Sequence, residues 1–309
     1  MNCLALLVCL FAFMVLVLGF RTAPAGAGLG LRGSGSALIP ALPVATTTPR
    51  PSALSADEQN RQVQAAVQSS RLAMEFHIAL LEIAKQRLAA IPDYTCTFIR
   101  QERIDGEELG EIQTCDLKLR HQPFSVYMKW LEGGDVGREL LFVDGLNDNR
   151  MIVKLGGGKK MLPALKLDPK GSLALRESRH PINELGMLEL CELILAYRKR
   201  DVDVKECRWQ MLNDQRVLDR DCYGFIVEYT DPSFEPVYRK SVTYIDKQLS
   251  LPICVRNYSW PAEGVTYDDP QTLDEATLIE YYAYRDIKFD SRLTDVDFDR
   301  ANTSYRFKR

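Results

Sequence analysis

The sequence predicts an α+β fold: a curved antiparallel β-sheet, a half-barrel, wrapped over a long N-terminal helix and an inserted helix. Three observations predict it. Apolar residues recur at helical spacing between Ser55 and Pro92, they alternate from Tyr94 onward, and one segment that is apolar around most of its circumference interrupts the alternation after Pro181. Ser55-Ala-Asp-Glu puts Glu58 at the third helical position, where Ser55 and Glu58 each satisfy the other's free backbone N–H. Val63, Val67, Met74, Leu81 and Leu88 then fall four and seven residues apart, on one helical face, and Leu72, Phe76, Leu80 and Ile83 widen the stripe. One long amphipathic helix is expected, ending before Pro92, whose ring pushes the preceding residue out of the helical region.

Beyond Pro92 the period is two. Tyr94, Cys96 and Phe98 alternate with Thr95, Thr97 and Ile99, and the same rule holds for Cys115, Leu117 and Leu119 and for Phe124, Val126, Met128 and Trp130. These are strands of a meander with one face in water, and Asp105-Gly106 is a hairpin-turn dipeptide between the first two. Further strands are expected at 140–144 and 150–155. A Gly- and Pro-bearing loop at 156–181 leads into a helix at 183–198, where Glu189, Glu192 and Lys199 form a narrow polar stripe against Leu185, Leu188, Leu190, Leu193, Ile194 and Leu195. That helix must be largely buried. Strands resume at 206–212, 222–230, 237–246, 252–260 and 278–289, and a sheet of that length with one wet face curls over its helices or closes on itself.

Residues 1–25 read as a signal peptide or a signal anchor. The apolar run from Cys3 to Phe20 carries no preceding Lys or Arg, which departs from the usual secretory signal, and it is long enough to span a bilayer. Ala23, Ala25 and Ala27 offer small-residue cleavage positions. Residues 26–54, rich in Ala, Gly, Pro, Ser and Thr, read as a disordered linker, because such a stretch buries too little apolar surface to offset the entropy of ordering. Residues 55–309 then form a single half-barrel domain. The expected location is periplasmic or extracellular, either free or held at the inner membrane by an uncleaved leader.

Several chemistries lack their residues. A net charge of -3 gives no electrostatic footprint for nucleic acid. The only histidines are His77, His121 and His180, in a helix, at a strand end and in a loop, and each reads as structural. Gly156-Gly157-Gly158-Lys159-Lys160 has lysine where a phosphate loop needs Ser or Thr. Asp295, Asp297 and Asp299 alternate like a calcium loop, but Arg300 and Arg306 replace the turn glycine and the closing glutamate, so an exposed charged edge is expected. With no C-x-x-C pair, no metal, cofactor or redox role is expected, and the protein reads as a non-enzyme.

An exported chain can keep disulfides. Taking Asp105-Gly106 as a two-residue turn sets Cys96 opposite Cys115, and counting out from Asp214-Gln215 sets Cys207 opposite Cys222. Two cross-strand disulfides are one reading of these cysteines. Buried thiols that pack as small apolar residues are the other.

The run Tyr94-Thr-Cys-Thr-Phe-Ile-Arg-Gln-Glu-Arg-Ile-Asp-Gly is followed by Lys118-Leu-Arg-His-Gln-Pro-Phe-Ser-Val-Tyr-Met-Lys-Trp, by Pro181-Ile-Asn-Glu-Leu-Gly and by Leu293-Thr-Asp-Val-Asp-Phe-Asp. On these motifs the chain resembles an exported family of unknown function found mainly in planctomycete bacteria, domain of unknown function 1571. That family is in turn similar to periplasmic lipoprotein carrier and outer-membrane lipoprotein-sorting proteins. The resemblance implies a half-barrel with an apolar cavity, a lipid or lipoprotein acyl chain as ligand, and no catalytic residues to carry over. An acyl-chain site needs a concave apolar face, and Phe98, Leu119, Val126, Met128 and Trp130 stand at alternating strand positions suited to it. The same residues could instead pack directly on the two helices, leaving a module that recognises an envelope protein and holds no lipid.

Overall fold

The computed structural model describes residues 55–68, 71–104 and 108–307. The leader and linker expected at 1–54, and the Asp105-Gly106 turn, lie outside the described residues. Helix α1 (Ala56–Gln68) starts as its sequence requires: the Glu58 N–H donates to Ser55 Oγ at 3.2 Å, and the Ser55 N–H donates to Glu58 Oε2 at 3.0 Å. In place of the expected single helix the described residues hold two, α1 and then α2 (Arg71–Ala90), and residues 69 and 70 between them lie outside the described residues. Its buried stripe is Ala73, Met74, His77, Leu80, Leu81, Ala84 and Leu88, while Leu72, Ile83 and the α1 residue Val63 are exposed. Helical spacing counts residues able to be buried. The neighbours of α2 cover only part of its circumference.

The strands are β1 (Asp93–Glu102), β2 (Gln113–Arg120), β3 (Ser125–Glu132), β4 (Glu139–Val143), β5 (Met151–Lys154) and β6 (Leu165–Leu167), followed by β7 (Cys207–Val217), β8 (Arg220–Tyr229), β9 (Lys240–Asp246), β10 (Pro252–Tyr258) and β11 (Leu278–Phe289). They form one open, curled antiparallel sheet of 11 strands in the order β6-β5-β4-β3-β2-β1-β11-β10-β9-β8-β7. The chain thus meanders from the centre to one edge, crosses the sheet, and meanders back from the other edge until β11 pairs with β1. Three short or helical elements escape the alternation rule. They are β6, the single-turn helix α3 (Ser172–Leu175) and helix α5 (Pro270–Thr277). The last has a legible signal, since the Asp269 carboxylate accepts from the Gln271 and Thr272 N–H groups and Pro270 stands at the first helical position.

The crossing element is α4 (Met187–Asp201), which begins four residues later than expected, after the 3-10 turn Ile182–Glu184. Gly186 sets the start, at φ 137°, where a Cβ would come within 2.7 Å of Glu189 Oε2. Helices α2 and α4 pack together, and Leu81, Leu88, Met187 and Cys191 from them join Tyr94, Leu117, Leu119, Val126 and Ile245 of the sheet in the main core. At about 0.8 kcal/mol per buried methylene, this layer is a main driving force for folding.

The other face of the sheet is only partly wet. Over β3 to β5 it carries Tyr127, Leu141, Val143 and Ile152, and the C-terminal segment covers them with Phe298, Tyr305 and Phe307. The alternating aspartates are exposed at Asp295 and Asp299, as expected, but the segment is not extended. Asp297 pairs with Lys118 at 2.7 Å and Asp295 with Arg120 at 2.8 Å, and the stretch Asp295–Phe298 is a 3-10 turn capped by Thr294.

Both expected disulfide registers are corrected by the pairing. Cys96 faces Leu117, and Cys115 faces Phe98, because extra residues enter the returning chain: Arg103 bridges Leu109 before Arg100 pairs with Gln113. In the second hairpin the turn is Leu218-Asp219, both at positive φ, so Cys207 faces Tyr229 and Cys222 faces Gln215. Asp214, also at positive φ, sits in a bulge within the strand and had supplied a false turn signal. Cys96, Cys115, Cys191, Cys207, Cys222 and Cys254 are free and buried.

Candidate functional site

A cavity of about 560 Å³ lies between the inner face of the sheet and the cover formed by α4, α3 and the loop joining β6 to α4. Its apolar wall comes from alternating strand positions, among them Phe98, Met128, Trp130, Leu140, Met151, Val153 and Leu167. The cover contributes Leu173 and Ala174 from α3, Ile182 and Leu185 from the loop, and Leu190, Leu193 and Ile194 from α4. The volume falls within the range of small-molecule sites.

Of the five residues expected to line such a space, Phe98, Met128 and Trp130 do so. Leu119 and Val126 do not. They pair across β2 and β3, fully buried in the main core, and Leu119 lies against the backbone of Gly186 at the start of α4. All five share one face, but the space opens farther along the strands than the β2–β3 hairpin.

Sequence reasoning missed the polar pole of this cavity. Glu102 of β1 and Glu280 of β11 are direct cross-strand partners, and both are buried. Two like charges so placed repel each other unless cations and donors surround them. Glu280 accepts from Arg179 Nε at 2.8 Å, Asn257 Nδ2 at 2.7 Å, Tyr238 Oη at 3.3 Å and His180 Nε2 at 3.2 Å. Glu102 accepts from Arg100 Nη2 at 2.6 Å, the Arg179 N–H at 3.0 Å and Tyr282 Oη at 2.5 Å. Arg100 also reaches the Glu177 carbonyl at 2.7 Å, and Arg179 reaches the Arg103 carbonyl at 2.9 Å. The two carboxylates therefore clamp the covering loop onto the centre of the sheet.

Burial opposes the charge on Glu280, but bonds from His180, Asn257 and Arg179 outweigh it and bring the carboxyl to about 2. His180 moves the other way. Burial lowers its affinity for a proton, and the facing Glu280 and Glu102 carboxylates more than reverse this, so its pKa is raised. A signal for this cluster did exist: Glu102 is in phase with Phe98 and Arg100, and Glu280 with Tyr282 and Tyr284, on strands whose in-phase positions face inward.

A second polar network borders the cavity at the end of α4. Tyr229 Oη donates to Asp201 Oδ2 at 2.6 Å and accepts from Arg198 Nη2 at 2.9 Å, and Arg200 bridges Asp201 and Glu235. Nε and Nη1 of Arg198 and Oε2 of Glu189 are buried without a hydrogen-bond partner among the described residues, and burial raises the Glu189 carboxyl. Among the described residues no three His, Cys, Asp or Glu side chains are grouped to hold a metal ion. The arrangement suits a ligand with an apolar body and a polar end.

The model of the family described as "Protein of unknown function (DUF1571)" matches residues 91–307, from the start of β1 through the C-terminal cover. No curated protein matches the chain. Solved structures similar to it include lipoprotein LppX of Mycobacterium tuberculosis, at 9% identity over 74% of this chain and 100% of that one, with a TM-score of 0.41. A chain of the MucA/MucB complex of Pseudomonas aeruginosa is 13% identical over 72% of this chain and 60% of that one, TM-score 0.39. A putative outer membrane lipoprotein-sorting protein domain from Vibrio parahaemolyticus is 16% identical over 71% and 96%, TM-score 0.32.

Proposed function

We propose, for a chain that belongs to the DUF1571 family of proteins of unknown function, a non-enzymatic binding role outside the cytoplasm, with an acyl-bearing lipid or lipoprotein as ligand. The observation that carries the proposal is the cavity of about 560 Å³, apolar along β3 to β6 and polar at Glu102 and Glu280. An acyl chain gains about 0.8 kcal/mol per methylene on leaving water, so about ten methylenes give on the order of 8 kcal/mol before ordering costs. The polar pole offers partners to a head group, while its carboxylates and His180 are engaged in holding the cover. In this reading residues 1–25 direct export or anchor the chain, residues 26–54 are a tether, and residues 55–309 are the binding body.

The test is native mass spectrometry and lipid extraction of the full chain purified from the cell envelope. Bound acyl lipid near one equivalent supports the proposal. Protein that carries no lipid and takes up no added fluorescent fatty acid refutes it. Exposed apolar side chains at the cavity mouth favour a second reading, a protein-interaction or envelope-sensor module, which lipid-free protein in stoichiometric complex with an envelope polypeptide would select.

A further inference from the structure

Leu165, Leu173 and Leu193 both line the cavity and face solvent, at 41%, 60% and 44% exposure, so they mark its mouth. Met161, at 85%, and Leu162, at 50%, are exposed just before Leu165 in the chain. Such side chains are not left over from a frayed loop. Buried Lys154 donates to the Leu162 carbonyl at 2.7 Å, fixing the backbone that presents them.

Cations are interleaved with these residues. Residues 156–176 contain Lys159, Lys160, Lys166, Lys170 and Arg176 against the single acid Asp168, in a chain whose net charge is -3. Three acids around the mouth are matched, Glu177 with Arg138, Glu184 with Lys170 and Glu192 with Lys85, and Lys166 pairs with Asp148, while Asp168 accepts from the Lys170 N–H and Glu189 keeps Oε2 unpartnered among the described residues. Lys159, Lys160 and Arg176 are exposed and make no ion pair among the described residues.

Resting on the acyl-ligand reading above, we propose that residues 159–176, with Leu193, dock on an anionic lipid bilayer and bring the cavity mouth against it. Leucine and methionine side chains would enter the acyl boundary while the lysine and arginine heads stay among the phosphates, the division of labour of an interfacial segment. Charge complementarity selects an anionic bilayer, since each cation near such a surface strengthens binding by roughly fivefold. The placement also gives an acyl chain a route from bilayer to cavity that does not cross water.

The experiment follows one local reporter in the full chain, so that membrane binding through the leader does not imitate docking. M161W is titrated with phosphatidylcholine vesicles containing about one-third phosphatidylglycerol, with and without brominated acyl chains, against the wild-type tryptophan background. The expected result is a blue shift and quenching beyond that background. Adding K159Q, K160Q and R176Q should weaken the response on the order of a hundredfold in lipid concentration, as should omitting the anionic lipid. Vesicle binding without quenching at M161W overturns the proposal, and so does an equal response to neutral vesicles. If vesicles give no response and the same three substitutions abolish crosslinking to an envelope protein, the surface serves a polypeptide and the proposal fails. Docking with an empty cavity would remove the acyl-ligand reading alone, and a lipid-filled cavity without docking would remove this inference alone.

Discussion

Replacing Glu280 by glutamine keeps the shape of the side chain and removes the charge that ties the covering loop to the sheet. The cost can be worked from the site. Its carboxyl, ordinarily near 4.5, lies at about 2 in the folded protein, and its side chain is 2% exposed, so screening by solvent is small. At 1.36 kcal/mol per pH unit this corresponds to about 3 kcal/mol of preference for the ionised form. Removing one partner of a buried pair gives a similar figure, about 3–5 kcal/mol, because Arg179 and His180 lose their counter-charge. With a urea slope of about 1–3 kcal/mol per molar, Glu280→Gln should lower the unfolding midpoint at pH 7 by 1 M or more. The pH profile gives a second reading. A carboxyl with a depressed pKa stabilises the fold above 4.5, and that contribution is lost as pH falls towards 2. His180, with its raised pKa, contributes fully below 6.5 and loses its contribution as pH rises through its folded value. Glu280→Gln should flatten both arms. A midpoint that moves by less than about 0.3 M, under 1 kcal/mol at these slopes, together with an unchanged pH profile, would refute the clamp.

Three further outcomes are expected. Val153→Phe should fill cavity volume, reducing extracted lipid while shifting stability by less than about 1 kcal/mol; a packed interior would instead lose about 1–3 kcal/mol in urea unfolding. The cysteines from Cys96 to Cys254 should resist alkylation at neutral pH in the folded protein and all react after unfolding without reductant, read by peptide mass, since burial pushes the thiols of Cys115, Cys191, Cys207 and Cys254 to about 12 and that of Cys222 to about 11. Tyr305→Ala removes a ring stacked on Tyr127 at 3.9 Å and a hydrogen bond to the Asp297 carbonyl, and should cost about 3 kcal/mol in urea unfolding while leaving the lipid extracted per folded molecule unchanged.

Strands were legible because burial on a pleated surface writes itself as alternation, and β11 at Leu278–Phe289 agrees with its sequence reading at both ends. Register was not legible. Asp214 has the composition of a turn and the positive φ of one, yet the hairpin turns four residues later at Leu218, a residue no turn rule favours. Shorter elements failed for a different reason: β6 has three residues and α3 four, too few to display a period. In the site, Phe98, Met128 and Trp130 could be picked out as inward-facing, but the same evidence picked out Leu119 and Val126. Alternation reports that a side chain leaves water. Whether it then meets a neighbour or a space depends on what lies across the sheet.

What lies across the sheet differs between its halves. Helix α2 packs on α4 and on β7, and α4 packs on β10, so long helical surfaces bring many side chains to that half. Across the cavity from strands β4 to β6 lie α3, the loop and one stripe of α4, which contribute Leu173, Ala174, Ile182, Leu185, Leu190, Leu193 and Ile194. Between this cover and the curled sheet a space is left. Left unanchored, the cover could collapse inward, as cores do when side chains are missing. The Glu102 and Glu280 clamp acts against that collapse, since it fixes Glu177 to His180 to the central strands by bonds to buried charge. The cavity thus lies under a cover that the two carboxylates tie to the sheet. Their burial would be costly in a fold that had only to pack, and it is intelligible in one that has to keep a space.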